Sequence, residues 1–132
     1  MQEQIRPFPR GAAPEQIKRW AKWMRRGDAS GCHQLPERSL FLFGWQMPVC
    51  ARCQGILMGQ IVGLILIAAQ VHMPFWLCLA SLFLLFGDWF IQYIGVLPSD
   101  NIRRLLSGLL AGVAQINLLR YAVLWLIARC TN

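Results

Sequence analysis

The stretch from Cys53 to Val71, CQGILMGQIVGLILIAAQV, decides the fold, because it runs without a charged side chain and is long enough to cross a bilayer. A spanning helix needs about 20 apolar residues, each advancing the axis by roughly 1.5 Å. Two more long apolar stretches follow at residues 74–97 and 105–128, each with a single charged residue, Asp88 and Arg120. The connections are short: Val71-His72-Met73-Pro74 makes a tight hairpin, and Pro98-Ser99-Asp100-Asn101 breaks the chain before Arg103 and Arg104. Residues 53–128 therefore read as a three-helix transmembrane domain, and the protein as an all-α integral membrane protein.

Composition agrees, since 56% of the chain is hydrophobic and 14% charged, against about a quarter charged in soluble proteins. The charge is also unevenly placed. Residues 1–52 hold nine of the thirteen Lys and Arg, and residues 53–102 hold none. The net charge of +7 sits beside long apolar runs, so it points to anionic lipid as the partner and not to nucleic acid. The apolar stretch begins some fifty residues in and lacks a small-residue cleavage site, which argues against a cleavable signal. Five cysteines without such a signal read as reduced thiols or metal ligands.

Upstream of the spans the chain divides again. Residues 1–30 form a basic segment in which Pro14 and Glu15 open a helix, and Ile17, Trp20, Ala21 and Met24 line one apolar face. Lys18, Arg19, Lys22, Arg25 and Arg26 fall largely opposite, as in an amphipathic helix lying in the interface, and Gly27 and Asp28 are expected to end it. Residues 31–52 read as a Cys/His-bearing interfacial loop, irregular over 31–49 where Pro36, Gly44 and Pro48 punctuate it, with Leu40 to Phe43 too short to span. Eleven Lys and Arg lie in the amino-terminal segment and the second connection, and none in the first connection. The positive-inside rule then predicts a multi-pass protein of the inner (cytoplasmic) membrane, amino terminus cytoplasmic and carboxyl terminus outside. Trp20, Trp23 and Trp45 fit the inner interface, and Trp76 and Trp125 the outer one.

Chemistry concentrates at that inner face. Cys32, His33, Cys50 and Cys53 are three thiols and an imidazole, the ligand set of a tetrahedral zinc or other transition-metal site. A Cys-x-x-Cys at a helix start turns both sulfurs to one side, and the helix amino terminus beside Arg52 favours thiolate. Cys32 and His33 are adjacent, an awkward geometry for two ligands of one ion, so one of the two is a candidate for a supporting role. Arg38 and Arg52 are expected beside the ligands, offsetting thiolate charge. Deeper in the membrane, helical rise places Gln60, Asp88, Gln92 and Gln115 at similar depths, which predicts a shared polar layer. Asp88 is the acidic residue within a span, and a charge there costs several kcal/mol unless paired or protonated. It reads equally as a cation or proton site and as structural glue. Arg103 and Arg104 could hold an anion or a lipid headgroup, with interfacial anchoring as the plainer role. Arg120 is expected to snorkel outward without pairing to Asp88. Cys78 and Cys130 read as apolar fillers, and His72 as an exposed loop residue.

Packing is also legible. Gly55, Gly59 and Gly63 make two overlapping Gly-x-x-x-Gly steps, and Gly108, Ala111 and Gly112 offer a matching surface on the third span. Packing within one subunit is the preferred reading over a dimer contact.

These elements together, Cys32-His33-Gln34-x-Pro36-x-Arg38-Ser39, Cys50-x-Arg52-Cys53-x-Gly55-Ile56, Asp88 with Gln92, Asn101-x-x-Arg104 and Gly108, resemble a family of small prokaryotic membrane proteins known as domain of unknown function 2085. The similarity covers roughly residues 31–117. Leu57 stands where that family usually has an aromatic residue, and Ser107 where it has Thr. The resemblance implies that the Cys/His cluster and Asp88 belong to one design, and it brings no established activity.

The sequence thus points to a membrane protein that binds a transition metal, zinc foremost, at a cytoplasmic-face Cys/His cluster. Two rivals are a thiol-disulfide or quinone-linked oxidoreductase using Cys50 and Cys53, and an accessory subunit packed against other membrane proteins. Transport has less support, because three short helices leave little room for a pathway without an oligomer. Nothing resembles a phosphate-binding loop, a hydrolytic triad or a zinc-protease helix, so the reading leans away from an enzyme.

Overall fold

Glycine lets two of the helices approach backbone to backbone. In the computed structural model, which describes residues 6–96, Pro98 and residues 100–131, three helices are long and apolar enough to cross a membrane: α2 (Ala51–Ala68), α3 (Phe75–Tyr93) and α4 (Asn101–Cys130). A Cβ on Gly55 or Gly59 of α2 would collide with the carbonyl oxygens of Leu105 and Leu109 in α4. One on Gly108 or Gly112 of α4 would collide with the carbonyls of Arg52 and Ile56. The two glycine ridges interlock backbone to backbone inside one chain, as the spacing predicts. Higher up, Gln60 Nε2 donates to Gln115 Oε1 at 3.0 Å across the same pair of helices.

α4 is the central element. It packs along both α2 and α3, whereas α2 and α3 scarcely touch each other. Its 30 residues span about 45 Å, more than the roughly 30 Å of hydrocarbon, so it projects beyond the apolar layer. The α2–α3 connection is tied down by α4: buried Asn117 accepts from the Met73 amide at 3.1 Å, and the Tyr121 hydroxyl donates to the Met73 carbonyl at 3.0 Å. Arg120 stacks over the Tyr121 ring, and Asp88 pairs with Arg52 and Arg103.

The span limits shift from those expected. The first begins two residues earlier, at Ala51, and ends at Ala68; the second runs from Phe75 only to Tyr93, and its expected end at Leu97 lies outside the described residues. The third starts at Asn101 instead of residue 105, because Asp100 caps it by accepting from the Ile102 amide at 3.1 Å. The cap draws Arg103 and Arg104 into the first helical turn.

At the Arg-rich end of the bundle lie α1 (Pro14–Ala29) and a two-stranded antiparallel sheet, β1 (Ser39–Leu42) and β2 (Trp45–Cys50), preceded by a 3₁₀ turn at Pro36–Arg38. The expectation of an irregular loop over 31–49 is corrected here. Phe43 and Gly44 both adopt positive φ, 51° and 80°, as a two-residue hairpin turn requires. Pro48 is tolerated because the pairing is irregular between Ser39↔Cys50 and Phe41↔Gln46, the stretch of β2 that contains it.

α1 also continues past Gly27 to Ala29. Gly27 is no stop signal: it is buried, and a Cβ there would overlap the Pro48 carbonyl, so it lets the helix lie directly on β2. The Trp20 indole completes the contact by donating to the Gln46 carbonyl at 2.9 Å, and Phe8, Trp20 and Trp45 cluster around it.

Candidate metal centre

Three of the four expected ligands meet where the hairpin enters α2. Cys50 is the residue that caps α2, Cys53 lies in its first turn, and Cys32 comes from the segment after α1. The sulfurs of Cys32, Cys50 and Cys53 all lie within 4.8 Å of one another. All three are free thiols. His33 lines the same cavity, yet its ring nitrogens fall outside that group. The reason is local: neighbouring residues in non-helical chain send their side chains to different sides, so Cys32 is buried while His33 is exposed.

Around Cys50 the site favours negative sulfur. The Cys50 amide donates to Cys32 Sγ at 3.1 Å. Burial alone would raise the Cys50 thiol, but hydrogen bonds from the Cys53 amide and thiol, the Cys32 thiol and the Arg52 amide outweigh it and hold its pKa below the ordinary value. Its position at the amino terminus of α2 acts in the same direction.

Cys32 is held in place by residues whose part was not read from the sequence. Gln34, with φ of 48°, sends its side-chain amide to the Pro48 carbonyl at 2.6 Å and to the Met24 carbonyl, clamping β2 to α1. Its own carbonyl accepts from Gln46 Nε2 at 2.7 Å. Buried Ser39 donates to the Leu35 carbonyl at 2.9 Å and accepts from Gln46, closing the loop behind the cysteines. Asn101 at the head of α4 donates to the carbonyls of Glu37 and Ser39 at 3.3 Å, tying the loop to the bundle. The signal available in the sequence was the presence of Gln34, Ser39 and Asn101 in the motifs that carry the resemblance.

Beneath the cysteines the polar residues sort into two groups and not one layer. Asp88 of α3, only 9% exposed at its side chain, meets Arg52 of α2 at 3.1 Å and Arg103 of α4 at 2.7 Å, the latter an ion pair and not an aligned hydrogen bond. Gln92 donates to Asp88 at 2.9 Å and accepts from Arg104 Nε at 2.7 Å. Gln60 and Gln115 pair with each other instead. The helix limits explain the split, because Asp88 lies five residues from the end of α3 while Arg52, Arg103 and Arg104 occupy first turns. Gln60 stands eight residues above Arg52, about 12 Å along α2.

Between these layers lies a cavity of about 300 Å³ whose walls include the three cysteines, His33, Arg38 and Arg104, with Trp89 and Tyr93 of α3 at its edge. Arg38 and Arg52 line the same cavity as the three cysteines. Arg103 and Arg104, read as one pair, separate: Arg103 faces Asp88, and Arg104 faces the cavity.

Comparison with known proteins reaches the same residues. A Methanocaldococcus jannaschii protein named only as uncharacterized is 39% identical over 87 residues, and one from Methanothermobacter thermautotrophicus, also named uncharacterized, is 36% identical over 87 residues. The alignments cover 61% and 62% of this chain; the chain spans 56% of the length of the first relative and 78% of the second. No solved structure matches. Residues 32–118, from the first cysteine of the cluster to the middle of α4, match the family described as "Predicted membrane protein (DUF2085)", and the chain belongs to that family.

Proposed function

We propose that this protein binds a transition metal, zinc foremost, through the thiolates of Cys32, Cys50 and Cys53 at the membrane face that carries the hairpin. The observation that carries the reading is the convergence of three unoxidised sulfurs, from two separate chain segments, to within 4.8 Å. Zinc takes thiolate ligands at about 2.3 Å in tetrahedral sets, and sulfurs on neighbouring corners of such a set lie less than about 4 Å apart. The amide donated to Cys32 Sγ and the lowered pKa of Cys50 both favour the form a metal needs. Three protein ligands leave a fourth position for His33, after a rotation of its side chain, or for an outside ligand. An open position is the mark of a metal that acts on or passes along something, in contrast to a closed structural site.

The same face is assigned to the cytoplasm. Arg52, Arg103 and Arg104 lie at this end of the bundle along with α1 and its five Lys and Arg, and such a bias sets orientation. A cytoplasmic site keeps its thiols in a reducing compartment.

The test is metal content and thiol count on the purified full chain in detergent. One equivalent of zinc with three protected thiols, lost in Cys50→Ser, supports the reading. A metal-free Cys50–Cys53 disulfide in wild-type protein transfers support to the thiol-disulfide or quinone-linked alternative. The accessory-subunit reading has less to stand on, because the glycine ridge that could dock a partner is already filled by α4.

A further inference from the structure

The cavity carries more positive charge than the cysteines explain. Arg38 from the 3₁₀ turn, Arg52 from α2 and Arg104 from α4 all line it, and among the described residues no carboxylate does. Asp88, the nearest acid in the network, is already engaged by Arg52, Arg103 and Gln92.

Arg104 is the decisive side chain. It is only 4% exposed. Its Nε donates to Gln92, and among the described residues no acceptor meets its two Nη groups. Arg52 has a second unmet need, since its Nε is buried without an acceptor. The Arg104 Nη groups are not among the buried atoms that lack a partner, so they open onto the cavity, whereas the buried Arg52 Nε is unfavourable until an acceptor is supplied. A three-thiolate zinc centre would carry one net negative charge, which answers one of these arginines and not all three.

We infer that the cavity is a receptor for a phosphate-type oxyanion, with Arg104 as its anchor and Arg38 and Arg52 as further donors. A lone carboxylate is met by one arginine fork; donors converging from three separate elements suit the several terminal oxygens of a phosphate. The placement agrees with this chemistry. Arg104 lies in the first turn of α4, at headgroup depth, and Trp89 and Tyr93 edge the cavity as aromatic residues edge a membrane interface. The same chemistry is offered by a phospholipid headgroup and by free phosphate. The inference does not depend on the metal, since the three arginines line the cavity with or without it.

The experiment uses the full chain, stripped of metal by chelator and placed in phosphatidylcholine nanodiscs. In one arm radiolabelled inorganic phosphate is titrated; in the other phosphatidic acid is added to the discs and retained lipid is counted by native mass spectrometry. Saturable binding of one equivalent is expected in at least one arm, and the arm that responds names the source. Arg104→Gln should weaken it by about ten- to a hundredfold, since charge-assisted hydrogen bonds are lost. Lys22→Gln, on α1 and away from the cavity, should leave it unchanged. Should Arg104→Gln fail to fold, Arg38→Gln, an exposed position, carries the same test with a smaller expected loss. Absence of saturable binding in both arms overturns the inference, as does a loss in Lys22→Gln equal to that in the cavity variants, which would signal diffuse charge attraction. Repeating the phosphate arm with zinc restored separates the two claims: phosphate bound by a chain that takes no zinc removes the metal reading alone.

Discussion

Replacing Asp88 with Asn keeps its size and removes its charge, and the structure says what that should cost. Asp88 faces Arg52 at 3.1 Å with side-chain exposures of 9% and 18%, so this pair is largely out of water. At an effective dielectric of about 20 the bare Coulomb attraction over that distance is about 5 kcal/mol, and breaking a buried pair by removing one partner costs about 3–5 kcal/mol net. The Arg103 contact adds little, because that side chain is 38% exposed and exposed pairs are worth about 0–1 kcal/mol. Asp88→Asn should therefore destabilise the helix bundle by about 3–4 kcal/mol, and Arg103→Gln by less than about 1 kcal/mol. The assay is reversible unfolding in mixed micelles, read by tryptophan fluorescence, on both single variants, Arg52→Gln and the Arg52→Gln/Asp88→Asn double variant. The double variant should lose at least about 2 kcal/mol less than the sum of its parents, as contacting residues do. An Asp88→Asn protein within about 0.5 kcal/mol of wild type, or strictly additive losses, would refute the claim that Asp88 joins the three helices.

Three further outcomes follow from the same geometry. Gly59→Leu places a side chain against the Leu109 carbonyl and should destabilise the α2–α4 pair by at least about 1–3 kcal/mol in that assay, whereas Gly87→Leu, where nothing stands within 4 Å of an added Cβ, should be near neutral. Gln34→Ala cuts the ties to Met24 and Pro48 without touching a thiol; competition with a zinc chelator should show about tenfold or more weaker metal binding, and unchanged affinity would remove Gln34 from the site. Metal affinity should fall as pH falls, because each ligand must lose a proton and every thiol still protonated contributes about tenfold per pH unit. With the Cys50 pKa held below its ordinary value, its share of that loss should set in at a lower pH than that of an ordinary thiol, read from the pH profile of zinc affinity in wild type against Cys50→Ser. A Cys50 share that sets in at the ordinary thiol pKa would contradict the shift.

The parts of the architecture that sequence made legible are those set by period and composition. Three long apolar stretches with at most one charged residue each can hardly be anything but spans, and Gly55, Gly59, Gly108 and Gly112 at four-residue steps announce a close helix pair. The hairpin was hidden because its turn is Phe43-Gly44, and phenylalanine at positive φ lacks the Asn-Gly or Asp-Gly signature. Pro48 within β2 argued against a strand for the same stretch. Asp88 was visible as a costly residue, but its partners depended on helix limits: a shift of four residues at the start of α4 brings Arg103 and Arg104 to its level and leaves Gln60 and Gln115 to each other. The Cys-x-x-Cys and the preceding Cys-His located the site. That the two adjacent side chains would part was legible; that Cys32 is the one turned inward was not, and the clamp that Gln34 forms beside it is a long-range tie that no local pattern encodes.

The central claim is that three thiolates, Cys32, Cys50 and Cys53, share one metal ion. X-ray absorption at the zinc edge on the zinc-loaded full chain tests it most directly. The account predicts three sulfur neighbours at about 2.3 Å and one nitrogen or oxygen neighbour at about 2.0–2.1 Å, with one sulfur lost in Cys32→Ser. A shell without sulfur, or one that Cys32→Ser leaves unchanged, would contradict it.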